Sequence, residues 1–377
     1  MLIHSRPKSK LISGLLCLAL SLTAAAQDSF AEGSTLPNEN PSASAGASVG
    51  ETATRQLPEH FKITPPGHVA PLQFVVLMTV DAAVGPELTN EMSSGFNLSD
   101  ARLGVRGALE GGFGYFAQAI FVQSPAILDA VIDWKAPEHG FHASVGYFRT
   151  PFSGELLVGA PVLDFINRSQ IVRALAPARQ VGIQLDQQIV GEKLVAKAGI
   201  FNGNGRNIND DDRFLYILRF DGRARCSDKT STNGCSSVFE YGVNGAYSKD
   251  DSAKLGLGLD EQFKGSRWLG GADVRFTSGP VFVTVEALYG SINPSDRSRQ
   301  DVYGYQLSTG WNVTPIVQLL ARYDALYAGS LRSDRDLAIT SVNLNFTDYI
   351  SLQVELRVPT RGEDAKPGGV ANLNLTF

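Results

Sequence analysis

A chain of 377 residues, 43% hydrophobic and 19% charged, is long enough for two soluble domains or one large barrel. A mean hydropathy of −0.04 excludes a bundle of membrane helices, which needs several apolar runs of about 20 residues. It does not exclude a membrane β-barrel, where lipid-facing and lumen-facing residues alternate and average to neutrality.

The first residues read as a secretory signal. Arg6, Lys8 and Lys10 form a basic start, Leu11 to Leu22 is apolar, and Ala24-Ala25-Ala26 is a small-residue cleavage site. Removing residues 1–26 removes three positive charges and no negative ones, which takes the net charge from −5 to −8. So acidic a chain is not a nucleic-acid binder on bulk electrostatics, and any anion preference must come from local placement of arginine. Residues 27–65 are rich in Ala, Ser, Gly, Pro, Asn and Glu without periodicity, and read as a disordered periplasmic arm.

From residue 66 to 377 the texture is uniform, which predicts one domain of short segments with period-two alternation. Ala101, Leu103 and Val105 alternate with Arg102, Gly104 and Arg106. Leu128, Ala130, Ile132 and Trp134 alternate with Asp129, Asp133 and Lys135. Val281, Val283, Val285 and Tyr289 alternate with Thr284 and Glu286. Val317, Leu319, Ala321 and Tyr323 alternate with Gln318, Arg322 and Asp324. Ile350, Leu352, Val354 and Leu356 oppose Ser351, Gln353, Glu355 and Arg357. The pattern is weakest around Phe116 and Lys254.

Aromatic residues such as Trp134, Tyr147, Tyr289, Trp311 and Tyr327 fall near strand ends, as in the interfacial girdles of membrane barrels. The last segment alternates Ala371, Leu373, Leu375 and Phe377 with Asn372, Asn374 and Thr376, and ends on the phenylalanine expected of an outer-membrane strand. The fold class expected is therefore all-β: a transmembrane antiparallel barrel of sixteen strands, an even number being the rule. Cys226 and Cys235 lie in a polar segment. Export through an oxidising compartment favours a disulfide between them, with two free thiols as the alternative.

One stretch is more specific. Val145-Gly146-Tyr147-Phe148-Arg149-Thr150-Pro151-Phe152-Ser153, Phe165-Ile166-Asn167-Arg168-Ser169, Ala176-Pro177-Ala178-Arg179-Gln180-Val181-Gly182 and Gly199-Ile200-Phe201-Asn202-Gly203 resemble the phosphate-selective porin O and P family. Ala101 to Gly107 looks like that family's early strand. The resemblance implies a sixteen-stranded trimeric porin of the cell outer membrane, without singling out phosphate as its solute.

Between Arg149 and Gln180 lies a connection far longer than ordinary loops, and long loops are usually functional. It is too apolar to wave in solvent. We expect it to fold inward, with a short helix around Ile166 to Leu175, and to present Asp164, Arg168, Arg173 and Arg179 as a pore constriction. Arginine suits such a place, because its charge is fixed and its planar fork pairs with anionic oxygens. Arg102, Arg106, Arg149, Arg219, Arg275, Arg322 and Arg357 are candidates for the lumen wall. The competing role for each is to brace the barrel against Asp129, Asp133, Glu286, Asp324 or Glu355.

His60, His68, His139 and His142 are scattered without metal spacing, and no phosphate loop or nucleophile elbow occurs. No cofactor and no reaction are expected. The asparagine and aspartate run Asn209 to Asp212 reads as a polar turn, with a calcium site as a minor alternative. The partners expected are outer-membrane lipid, small anionic solutes and two further copies of the chain. The alternative is a structural or adhesive barrel with a plugged lumen.

Overall fold

The computed structural model describes residues 63–84, 94–122, 124–191, 193–227, 236–257, 259–329, 335–361 and 367–377, all within one compact unit. The arm expected over residues 27–65 and the Cys226–Cys235 pairing lie outside this description, apart from residues 63–65 and the backbone of Cys226.

Sixteen strands follow one another: β1 Gln73–Val84, β2 Gly95–Ala108, β3 Phe113–Ile120, β4 Ala126–Ala136, β5 Phe141–Arg149, β6 Arg179–Gln188, β7 Leu194–Phe201 and β8 Leu215–Ser227. They continue with β9 Ser236–Leu255, β10 Asp260–Ser278, β11 Val281–Pro294, β12 Gln300–Asn312, β13 Val317–Tyr327, β14 Arg335–Asn345, β15 Ile350–Arg361 and β16 Gly368–Thr376. Each pairs antiparallel with its neighbour in sequence, and β16 returns to β1 from Leu77↔Thr376 to Val84↔Gly369. Val76 and Phe377 exchange backbone hydrogen bonds of 2.7 and 3.1 Å at the end of that seam. The barrel is closed, so no strand edge is left unpaired, as a hydrocarbon surround demands.

The predicted alternation becomes two faces. On β11, Val281, Val283, Val285 and Tyr289 are exposed on the outside, while Phe282, Glu286, Leu288 and Ile292 are buried inside. Aromatic pairs mark the outer surface of neighbouring strands: Tyr247 lies 4.3 Å from Trp268, and Tyr303 stacks on Tyr327 at 5.0 Å. The weak signal around Phe116 has a cause in register. Phe116 and Ile120 face inward beside Arg106 and Arg102, on either side of Gln118, so the inner face of β3 is mostly apolar and the alternation is blurred.

The inner face is not uniformly polar either. The β5–β6 connection carries two short helices, α1 Gly154–Leu157 and α2 Gln170–Leu175. The helix expected around Ile166 to Leu175 is therefore shorter at its start. Ile171, Val172, Ala174 and Leu175 of α2 are buried in one cluster with Phe148, Phe201, Leu269, Leu288, Ile292 and Leu326 of the wall. Burying each of the larger aliphatic side chains contributes roughly 1.5–3 kcal/mol, which offsets the entropy of ordering the segment.

Glycine makes room for it. A Cβ on Gly304 would sit 2.2 Å from the Ala325 carbonyl oxygen and 3.1 Å from Ile171 Cβ. Gly304→Ala is expected to destabilise the barrel by about 1–3 kcal/mol and to speed amide exchange over Gln170–Leu175, read by hydrogen exchange beside the melting of the folded band on a semi-native gel. Unchanged exchange there would mean that α2 does not seat on β12.

Candidate pore constriction

The segment 150–178 leaves β5 and re-enters at β6 through a tied neck. Both the Thr150 N–H and its hydroxyl donate to the Ala178 carbonyl at 3.0 Å. Ser153 sits at a φ of 70°, a turn few side chains adopt, and its hydroxyl oxygen accepts the Leu156 N–H at 3.0 Å to start α1.

An irregular segment enclosed by a barrel has backbone donors that no ladder satisfies. Here wall carboxylates accept them. Gly154 N–H donates to Asp273 on β10 at 3.2 Å, Glu155 N–H to Glu286 on β11 at 3.1 Å, and Gln170 N–H to Asp324 on β13 at 2.9 Å. Ile166 N–H donates to Glu355 on β15 at 2.6 Å. Carbonyls are met as well: Gln353 donates to Leu163 O at 3.1 Å and Asn343 to Asp164 O at 2.9 Å. These anchors fall on the polar faces of β10 to β15.

That use of the acids decides which role the arginines beside them take. Arg219 makes two bonds to Asp273 at 2.7 and 2.9 Å and a third to Asp221. Arg275 binds Asp164 at 2.6 Å, Arg322 binds Glu155 at 3.2 Å, and Arg357 binds Glu355 at 2.7 Å. All four brace, and Asp164 is held by the wall.

A second group converges elsewhere. Arg102, Arg149, Arg168 and Arg179 are close enough to repel one another. Arg102 binds Asp100, and Arg179 takes Asp129 in a two-pronged pair at 3.0 Å. Arg149 donates to the carbonyls of Leu157 and Val158 at 3.4 and 2.9 Å. Arg168 donates to Glu155 O at 3.0 Å, Leu156 O at 3.4 Å and Val158 O at 2.5 Å.

Two expectations need correction. Arg179 opens β6 rather than belonging to the loop, because it pairs in register with Arg149. Arg168 does not project freely. A four-residue helix leaves its carbonyls unsatisfied, and the five donors of a guanidinium suit them. Burial lowers Arg168 to about 10, against the pull of Glu155, so it stays a cation at neutral pH. Arg173 lies half-buried on α2, apart from the carbonyl-binding pair, and Arg106 sits on β2 opposite Gln73 and Phe116.

Sequence reasoning missed Glu155. It stands among apolar residues, and its one legible signal was a lone acid in a segment where burial demands a partner. Elsewhere Ser144, His142 and Asp186 form a chain at 3.4 and 3.2 Å. Ser144 is 2% exposed, which leaves no approach for a substrate carbonyl, so the chain serves as a wall brace. Among the described residues no group of three or more His, Cys, Asp or Glu could hold a metal ion.

The family model for phosphate-selective porin O and P matches residues 78–325, more than half of the chain. The chain belongs to that family. Its place is therefore the cell outer membrane, and its barrel is that of a porin. No curated protein matches the sequence of this porin. Among solved structures it is similar to OmpT, an outer membrane protein of Vibrio cholerae, at 12% identity and a TM-score of 0.61, over 84% of this chain and 99% of that one. It is also similar to an anion-selective porin from Comamonas acidovorans at 12% identity and a TM-score of 0.58, over 81% and 99%. The outer membrane channel DcaP of Acinetobacter baumannii aligns at 12% identity and a TM-score of 0.54, over 81% and 97%. Identities this low establish the shared barrel alone.

Arg168→Lys keeps the charge of this porin but replaces a planar fork by a single point donor. The variant is expected to lose about 2 kcal/mol of stability and to become cleavable by added protease between Val158 and Arg168. Resistance equal to the unsubstituted protein would mean that the carbonyl bonds of Arg168 do not hold the segment.

Proposed function

We propose that this porin forms a water-filled diffusion channel for small solutes with a preference for anions, its narrowest part set by the inward-folded segment 150–178. One observation carries the reading. Arg102, Arg149, Arg168 and Arg179 converge with two directly bound carboxylates, Asp100 and Asp129, while the acids of β10, β11, β13 and β15 are occupied by loop N–H groups and bracing arginines. The local excess is positive although the chain as a whole is acidic. In a confined lumen such an excess raises the concentration of anions and repels cations.

The anchors on β10 to β15 draw the segment to one side, and the water path of this reading runs past the inner faces of β16 and β1 to β4. Asn372, Asn374, Thr79 and Gln118 line it beside the arginines, with the acids Asp81 on β1 and Asp133 on β4 on the same inner faces. The buried apolar cluster around α2 would favour a plugged structural barrel if it extended across that path. A homotrimer is part of the same proposal. The outward faces of β1 to β5 and β16 carry the small residues Ala82, Ala101, Ala117, Ala130, Ala143 and Ala371, a surface on which flat protein packing is feasible. The similar OmpT of Vibrio cholerae is described in a trimer form.

Refolded protein in a planar bilayer under a KCl gradient is expected to give stable open steps and a reversal potential on the chloride side. The pair Arg102→Gln and Arg179→Gln should lower the chloride over potassium permeability ratio by about threefold at low salt, and by less at 1 M where charges are screened. A ratio that does not move removes these arginines from selectivity. Absence of steps from correctly folded barrel supports the plugged reading.

A further inference from the structure

We infer that Glu155 is the positioning residue that sets the channel's width, by clasping both limbs of segment 150–178 to each other and to the wall. This rests on the channel reading above. Four bonds meet at Glu155. Its N–H donates to Glu286 at 3.1 Å, and its carbonyl accepts Arg168 Nε at 3.0 Å. One carboxylate oxygen accepts the Ser169 N–H at 2.8 Å, the other accepts Arg322 Nη1 at 3.2 Å.

The geometry brings both limbs and the wall together at one residue, alongside the bonds from Arg168 to the carbonyls of Leu156 and Val158 and from Thr150 to that of Ala178. Glu155 lies in α1 on the outgoing limb, and Ser169 precedes α2 on the returning limb, so the 2.8 Å bond closes the segment on itself. Ser169 gives α2 no side-chain cap, and carboxylates of Glu155 and Asp324 take the N–H groups of Ser169 and Gln170 instead. Arg322 fixes the closed segment to β13. Its second nitrogen donates to Asn167 O at 3.0 Å, and its guanidinium lies 4.4 Å from the Phe165 ring centre. Arg322 is 2% exposed in its side chain and Glu155 13%, so the pair is shielded from water and from screening. Without the carboxylate, Arg322 loses its nearer acidic partner and keeps only Asp324 at 3.9 Å, and the Ser169 N–H at the start of α2 loses its acceptor. The stretch between the limbs, from Val158 to Arg168, then has more freedom to move toward the path of the solute.

The test uses single-channel recording of the full protein with Glu155→Gln, Arg322→Gln, the double variant, and Ser169→Pro. The last removes the N–H of the clasp at a φ of −55° that proline accepts, and replaces the buried hydroxyl by a ring facing Glu155. Each single change is expected to raise open-state current noise about threefold and to alter mean conductance, as a loosened loop would. The double variant should be no noisier than either single one, because the two residues act as one unit. Folding is checked separately by the heat-modifiable shift on a semi-native gel. Folded variants with the noise, conductance and permeability ratio of the unsubstituted channel overturn the inference. If the unsubstituted protein gives no steps, the channel reading fails instead, and faster amide exchange at Ser169 and Gln170 in Glu155→Gln still decides whether the clasp exists.

Discussion

Where β16 meets β1, Thr79 donates its hydroxyl to Asn374 and Asn372 donates to Asp81, inside a ladder that runs from Leu77 to Val84. Everything else in the molecule depends on that seam. Lipid offers no hydrogen bonds, so each N–H and C=O of the wall must be answered by a neighbouring strand, and the first strand finds its second neighbour only by pairing with the last. Closure also creates the enclosed space in which the segment 150–178 is folded.

The same requirement then operates inside. A segment with two short helices and irregular turns presents donors that a β-ladder would otherwise take. The wall supplies carboxylates for them at Asp273, Glu286, Asp324 and Glu355. Asp273, Asp324 and Glu355 are tolerated there as charges because Arg219, Arg322 and Arg357 stand next to them. One half of the lumen is thus neutralised as a by-product of holding the loop. The positive excess at Arg102, Arg149, Arg168 and Arg179 is what remains, and it is the feature on which the proposed anion preference turns.

The apolar cluster around α2 adds a second constraint. Leu288, Ile292 and Leu326 face inward, where the alternation of a water-filled barrel would put polar groups. They are answered by Ile171, Val172 and Leu175 rather than by water, which seats α2 against β11 to β13.

Period-two alternation made the barrel legible in the linear sequence, since lipid on one side and a polar interior on the other impose it strand by strand. It failed at β3, where Phe116 and Ile120 point inward, because a face that packs against other side chains need not be polar. The length and apolar character of residues 150–178 already singled them out as an inward segment, and the arginines near them were named from the sequence. Their division of labour was not. Arg168 was read as a lumen cation and is occupied by carbonyls of its own loop. Arg219, Arg275, Arg322 and Arg357 looked equivalent to Arg102 and Arg149 as lumen-wall residues. Glu155 passed unremarked. Pairing is decided by which side chains meet across the barrel, between residues as far apart as Ile166 and Glu355, and local pattern carries no information about such meetings. The sequence by itself determined a closed, outward-apolar wall; only the tertiary structure decided which of the wall's charges bind its loop, because those pairs form between residues far apart in the chain.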